Sequence, residues 1–196
     1  MPRPGKPTNL PTLARHQQTY GGGCGSDACD RARRVCLGRG RLPCDVLFVG
    51  EAPGASENVC GVPFVGPAGQ LLDQIVERSV PTGLRTAYTN LVGCIPLGDT
   101  GEKAAEPKPA QIVACQGRLR EFIDLARPRL VVRVGRLAQQ WLGGGLKNAL
   151  PLPPGVPACD VVHPAFILRA NEAQQSMAVQ RCVVTIQNAV LEHLSE

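Results

Sequence analysis

Apolar and polar positions change their period repeatedly along this chain. Asp45-Val-Leu-Phe-Val-Gly50 is a short unbroken apolar run closed by glycine, the pattern of a strand buried on both faces of a parallel sheet. Residues 67–78 then switch to helical spacing, with Leu71, Leu72, Ile75 and Val76 on one face and Pro67 at the first helical position. A second strand is predicted over 87–92. A polar loop carrying Gly98, Gly101, Pro107 and Pro109 leads into a helix over about 110–126. A third strand follows at 130–135, with a helix starting at Arg136, then a Gly- and Pro-rich loop over 143–157. The fourth strand is 159–163, and a last helix runs from about Ala173 to the C-terminus. Strands alternating with helices predict an α/β fold on a mainly parallel, four-stranded sheet. Ligands in such folds sit at the carboxyl ends of the strands, which nominates Gly50–Gly54, Asn90–Cys94, Gly135 and His163.

The first 23 residues break this pattern. They hold four prolines and few apolar side chains and end in Gly21-Gly22-Gly23, so residues 1–23 are expected to be a flexible basic arm and 24–196 a single domain. The hydrophobic fraction of 43% supports a real core, and only seven aromatics (four Phe, two Tyr, one Trp) make it an aliphatic one. Apolar runs such as Val46–Val49 are strand-sized, far short of the ~18–20 residues that span a membrane. The charged, Pro-rich start lacks the apolar stretch of a secretory signal, so a cytoplasmic location is expected. Nine cysteines, an odd number without such a signal, favour metal or redox chemistry over a disulfide framework.

Charge adds a direction. Residues 1–43 carry eight basic side chains against Asp27 and Asp30, while the rest of the chain is close to neutral within a net charge of +5. A basic segment on a neutral body suits a polyanion, although such a segment also serves solubility. Five glycines (50, 54, 61, 66 and 69) in the stretch after the first strand let the backbone approach a ligand and leave amides free to donate. That stretch is neither a phosphate loop nor a dinucleotide fingerprint, so nucleotide hydrolysis and nicotinamide binding lose their usual warrant. Glu51, Glu57 and Phe64 instead outline a pocket for a flat polar ring. Asn90 offers an amide suited to a pyrimidine edge, and His163 a donor for an oxygen that gains negative charge. Any one of these residues alone would be read as structural; their convergence on strand ends favours a site.

Three segments together, Gly50-Glu-Ala-Pro-Gly…Gly61-Val-Pro-Phe-Val-Gly-Pro-Ala-Gly69, Thr89-Asn-Leu-Val-Gly-Cys94 and His163-Pro-Ala-Phe-Ile-Leu-Arg169, resemble the family 4 uracil-DNA glycosylases, the iron–sulfur branch of their superfamily. The resemblance covers roughly residues 24–190. It implies a three-layer α/β/α sandwich around a four-stranded parallel sheet and hydrolysis of the N-glycosidic bond of deoxyuridine in DNA. Carried onto this chain, Phe64 would stack on the flipped uracil and Asn90 would read its Watson–Crick edge. Gly50, Glu51, Ala52, Gly54 and Glu57 would line the sugar and base pocket, and His163 would stabilise the departing anion. Phe166, Ile167 or Leu168 would wedge into the duplex and Arg169 would contact a phosphate. Family 1 enzymes place a water-orienting Asp where this chain has Ala52, so a dissociative reaction is expected, with water held by Glu51 or Glu57.

The resemblance also implies a 4Fe–4S cluster. Cys94 and Cys115 match two of its ligands, and Cys24 and Cys29 stand for the N-terminal pair, at a spacing wider than the family's Cys-x-x-Cys. Cys36 and Cys44 are substitutes for that pair, while Cys60, Cys159 and Cys182 match no ligand position and are assigned to packing. A four-thiolate zinc site and buried free thiols are the alternatives. Uracil-containing DNA is the expected partner of a monomer associated with the nucleoid, with the 1–23 arm open to docking by a partner such as a sliding clamp. Two other readings stay open: a non-catalytic DNA-binding module of the same fold, and a glycosylase with shifted base specificity. Covalent trapping through a histidine is disfavoured because 95–114 contains none.

Overall fold

The computed structural model describes residues 13–22, 34–96 and 105–195. Its centre is a sheet built from β1 (Arg39–Gly40), β2 (Val46–Gly50), β3 (Thr86–Asn90), β4 (Leu130–Val134) and β5 (Ala158–Val161). The spatial order is β1-β3-β2-β4-β5, and every pairing is parallel except that of β1 with β3. The sheet therefore has five strands rather than the four expected. The additional strand is two residues long, too short to register as a period in the sequence.

Alternation along each strand feeds two cores. Val46 and Phe48 face one side, with Leu72, Ile75 and Val76 of α3 (Pro67–Ser79) and Val183, Ile186 and Val190 of α7 (Glu172–Leu194). Leu47 and Val49 face the other, with Leu119, Phe122 and Ile123 of α4 (Pro109–Ala126) and Leu137 and Trp141 of α5 (Arg136–Trp141). A strand whose successive side chains enter opposite cores must be apolar at every position, and β2 is buried throughout. The three-layer α/β/α arrangement follows directly. α7 begins where the Asn171 side chain accepts from the Gln174 N–H at 3.0 Å, a capped start that fixes the segment after His163.

Two short helices are absent from the sequence reading, α2 (Ala55–Cys60) and α6 (Pro164–Ile167), each under two turns of chain. Part of the expected arm is also ordered. Leu13–Tyr20 forms α1, whose His16 is fully buried with Nδ1 3.3 Å from the Glu121 carboxylate of α4. Its short polar run hid that docking, because a single buried His carries no periodicity.

Among the described residues no helix is long and apolar enough to cross a membrane.

Candidate active site

β2 pairs with β3 on one side and β4 on the other, and the connecting helices α3 and α4 lie on opposite faces. The chain thus reverses direction across the sheet at β2, and a crevice opens at the carboxyl ends there. It holds a cavity of about 390 Å³ lined by Glu51, Ala52, Gly54, Glu57, Phe64, Asn90, His163, Phe166 and Arg169, among others. Almost every expected site residue therefore reaches one place. Gly50 lies beneath it: a Cβ there would stand 2.5 Å from Asn90 Oδ1 and press on the Phe64 ring, so only glycine lets both approach.

Asn90 closes β3 and is 2% exposed, yet its Oδ1 has no hydrogen-bond partner. A buried acceptor left open costs free energy unless a ligand supplies the donor. Phe64, beside it, holds a backbone φ of 58°, a region that non-glycine residues rarely occupy. Such strain persists where the surroundings impose it, and here the clamp is Glu57. One Glu57 oxygen accepts from the N–H groups of Val65 (3.0 Å) and Gly66 (2.8 Å), and the other from Gly54 N–H at 3.0 Å. The loop carrying Phe64 is thereby tied to α2. The expectation that Glu57 is one of two candidates to hold the attacking water is corrected on this ground, because its carboxylate is committed to backbone amides.

Glu51 also lines the cavity. It is half-buried, and burial, then the nearby Glu106 carboxylate, raises its pKa above the ordinary value, against the opposing Arg136 charge. Glu106, which lines the cavity, and Arg136, which pairs with it, were missed by sequence reasoning. Both Glu106 carboxylate oxygens accept from one Arg136 nitrogen, Nη2, at 2.9 and 2.8 Å, from a loop whose path has no sequence signature.

His163 follows β5 and caps α6, its Nδ1 accepting from the Ala165 N–H at 3.2 Å. That bond fixes the tautomer, leaving the proton on Nε2 as a donor. Burial first, then the Arg169 charge, lower its pKa, so the ring is neutral near pH 7. Gly135 makes room for it at a φ of 92°; a Cβ there would sit 2.9 Å from His163 Cβ. Of the three wedge candidates, Phe166 (65% exposed) and Leu168 (41%) project outward, while Ile167 is buried in the core and drops out. The Arg169 guanidinium lies 6.0 Å from the Phe166 ring centroid.

The cysteines divide by position. Cys94 follows β3 and Cys115 lies on α4, and both act on one buried guanidinium, that of Arg118. Arg118 Nε is buried without a hydrogen-bond partner, a polar orphan beside two thiols that fits a thiolate-bound group there. Cys24 and Cys29 lie outside the described residues, and within those no three His, Cys, Asp or Glu side chains form a metal-binding group. Cys44 is corrected as a substitute ligand. It precedes β2, at the opposite end of the sheet from Cys94, and burial pushes its thiol up to about 12. Cys36 is near Cys94, but its thiol donates to the Glu57 carbonyl at 3.2 Å, and burial pushes it up to about 12 as well. Cys182 is buried and Cys159 partly so, whereas Cys60 is exposed and does not pack as expected.

At the carboxyl ends of the mainly parallel sheet the Phe64 ring, the open Asn90 acceptor and the His163 imidazole thus line one cavity. Residues 37–187 match the family model of the uracil DNA glycosylase superfamily. The chain is 30% identical over 151 residues to a type-4 uracil-DNA glycosylase of Thermotoga maritima, covering 72% of this chain and 76% of that protein. It is 33% identical over 106 residues to the type-4 uracil-DNA glycosylase of Saccharolobus solfataricus (54% of this chain, 47% of that one). Against that of Pyrobaculum aerophilum it is 36% identical over 108 residues (54% and 51%). The chain belongs to the uracil-DNA glycosylase superfamily and, within it, to family 4. It spans about half the length of several of these curated relatives.

Proposed function

We propose that this protein excises uracil from DNA by hydrolysing the bond between uracil N1 and deoxyribose C1′, leaving an abasic site. The observation that carries this reading is the buried, unpartnered Oδ1 of Asn90 beside Phe64. Uracil presents an N3–H donor to such an acceptor. Cytosine presents an N3 lone pair there, which leaves both acceptors unsatisfied, a discrimination no apolar pocket provides.

The target nucleotide leaves the stack, since its glycosidic bond is inaccessible in a duplex. Phe64 receives the base face, and exposed Phe166 and Leu168 occupy the space it vacates. The C1′–N1 bond breaks with its electron pair going to uracil, and the Nε2–H of His163 donates to the oxygen where that charge collects. A neutral imidazole suits this role, because it offers the hydrogen bond without carrying a second proton. Water held by Glu51 adds through oxygen to C1′, its proton passing to the carboxylate, and the uracil anion takes up a proton from solvent.

Cys24, Cys29, Cys94 and Cys115 would hold a 4Fe–4S cluster. When bound it supplies a covalent cross-link between the N-terminal segment and α4, with no redox part in the hydrolysis. The basic side chains of that segment would then lie near DNA and add affinity through counterion release.

Purified protein incubated with oligonucleotides carrying uracil opposite A, opposite G or in a single strand should yield alkali-labile abasic product. Asn90→Ala should lose it while binding DNA as before. Retention of DNA with no abasic product on any substrate would replace this reading by a binding module of the same fold, and cleavage confined to hypoxanthine or xanthine would reassign the base.

A further inference from the structure

Arg118 is among the largest fully buried side chains in the protein, at 2% exposure. From α4 its guanidinium reaches the carboxyl end of β3. Nη1 donates to Thr89 Oγ1 at 3.1 Å and to Leu37 O at 3.2 Å; Nη2 donates to the Asn90 carbonyl and, at 3.2 Å, to that of Leu91. All these acceptors are neutral. Among the described residues no carboxylate forms an ion pair with Arg118, and its Nε remains orphaned.

Burying a full charge on neutral acceptors alone is costly, of the order of several kcal/mol per ion. A neutral donor on α4 would satisfy the same carbonyls without that cost. The arrangement makes physical sense when an anion stands nearby. Cys115 precedes Arg118 by about one turn on α4, and Arg118 Nε stands 3.2 Å from where a Cβ on Gly93, the neighbour of Cys94, would be. Cys36 is committed as a donor to the Glu57 carbonyl, so the anion this placement calls for is a group bound by Cys94 and Cys115.

We infer that Arg118 is a positioning residue that serves as the buried counter-charge of the thiolate centre at Cys94 and Cys115, and that through the Asn90 and Leu91 carbonyls it fixes the end of β3 that presents the base-reading amide. The inference rests on the metal-cluster reading given above. It joins two parts of the molecule that otherwise share only the strand between them. Loss of the centre leaves a buried cation without a counter-charge directly behind Asn90.

The test uses protein purified anaerobically in its loaded form, with iron and acid-labile sulfide counted first. Wild-type protein without them overturns the cluster reading and this inference with it. With the cluster present, Arg118→Met and Arg118→Gln remove the charge, while Arg118→Lys keeps it. Expected for the neutral variants are a cluster reduction potential shifted downward, because a nearby cation favours the added electron, and loss of the ~400 nm absorbance to a chelator about 10-fold faster or more. Arg118→Lys should restore both towards wild type. If Arg118→Met does not fold, the Gln and Lys variants carry the comparison, and if neither neutral variant accumulates while Arg118→Lys does, the demand for charge is met. Unchanged potential and chelation rate in a neutral variant overturn the inference and leave the cluster standing; so does a lysine variant that behaves like the glutamine one.

Discussion

Removing Glu57 separates a carboxylate that builds the site from one that takes part in the reaction. Its side chain is 8% exposed and accepts three backbone N–H groups, from Gly54, Val65 and Gly66. A hydrogen bond to a charged group contributes about 1.5–3 kcal/mol net, and the three are not additive because the cavity side admits water once the carboxylate is gone. Glu57→Ala is therefore expected to cost about 3 kcal/mol. At roughly 2–4 °C per kcal/mol for a domain of this size, the melting temperature falls by about 6–12 °C. Glu57→Gln keeps one acceptor oxygen but turns an NH₂ towards the amides at the other position, so about half that loss is expected. Phe64 sits on the released loop at its positive φ, so uracil excision should fall with stability and not independently of it. Thermal unfolding and single-turnover excision, measured on the same preparations, read both quantities. The reasoning would be refuted by Glu57→Ala melting at the wild-type temperature with excision abolished, since the carboxylate would then be acting on water or substrate.

Four further outcomes follow from the structure. His163→Ala removes a single donor and should slow single-turnover excision about 10²–10³-fold with little change in melting temperature; a loss below tenfold would shift the emphasis from the leaving group to the water. Because burial and Arg169 depress its pKa, excision should hold as pH falls past the ordinary histidine value of about 6.5 and decline only below it, an acid limb that the uncharged His163→Gln should lack. Asp45, held below the usual carboxylate range chiefly by its hydrogen bond to Arg85, stabilises the fold fully above about pH 4 and loses that contribution as pH falls through its depressed value; the stability gap between wild type and Asp45→Asn, followed by denaturant titration, should close in acid and be constant near neutrality. Phe166→Ala should leave stability unchanged and weaken excision from duplex more than from single-stranded DNA, and equal losses on both would deny it the wedge role.

The sequence by itself determined the layers, the mainly parallel character of the sheet and which residues stand at the strand ends. β2 must be apolar at every position because both faces are covered, and the loop after it carries a motif long enough to be specific. Strand ends in a parallel sheet converge by topology alone, which brings Asn90 and His163 to one cavity with Gly50 beneath it. Periodicity is silent on what a carboxylate or thiol touches. Only the tertiary structure decided that Glu57 ties down a loop while Glu51 faces the cavity, and that His163 carries its proton on Nε2. The cysteines show the same division. Their number announced metal chemistry, but Cys44 and Cys94 differ by which end of the sheet they occupy, a distance in space that spacing along the chain does not encode. Arg118 was the least legible residue of all: one arginine on an amphipathic helix reads as solvent-facing, and its burial beside Cys94 and Cys115 follows only from how α4 packs against the end of β3.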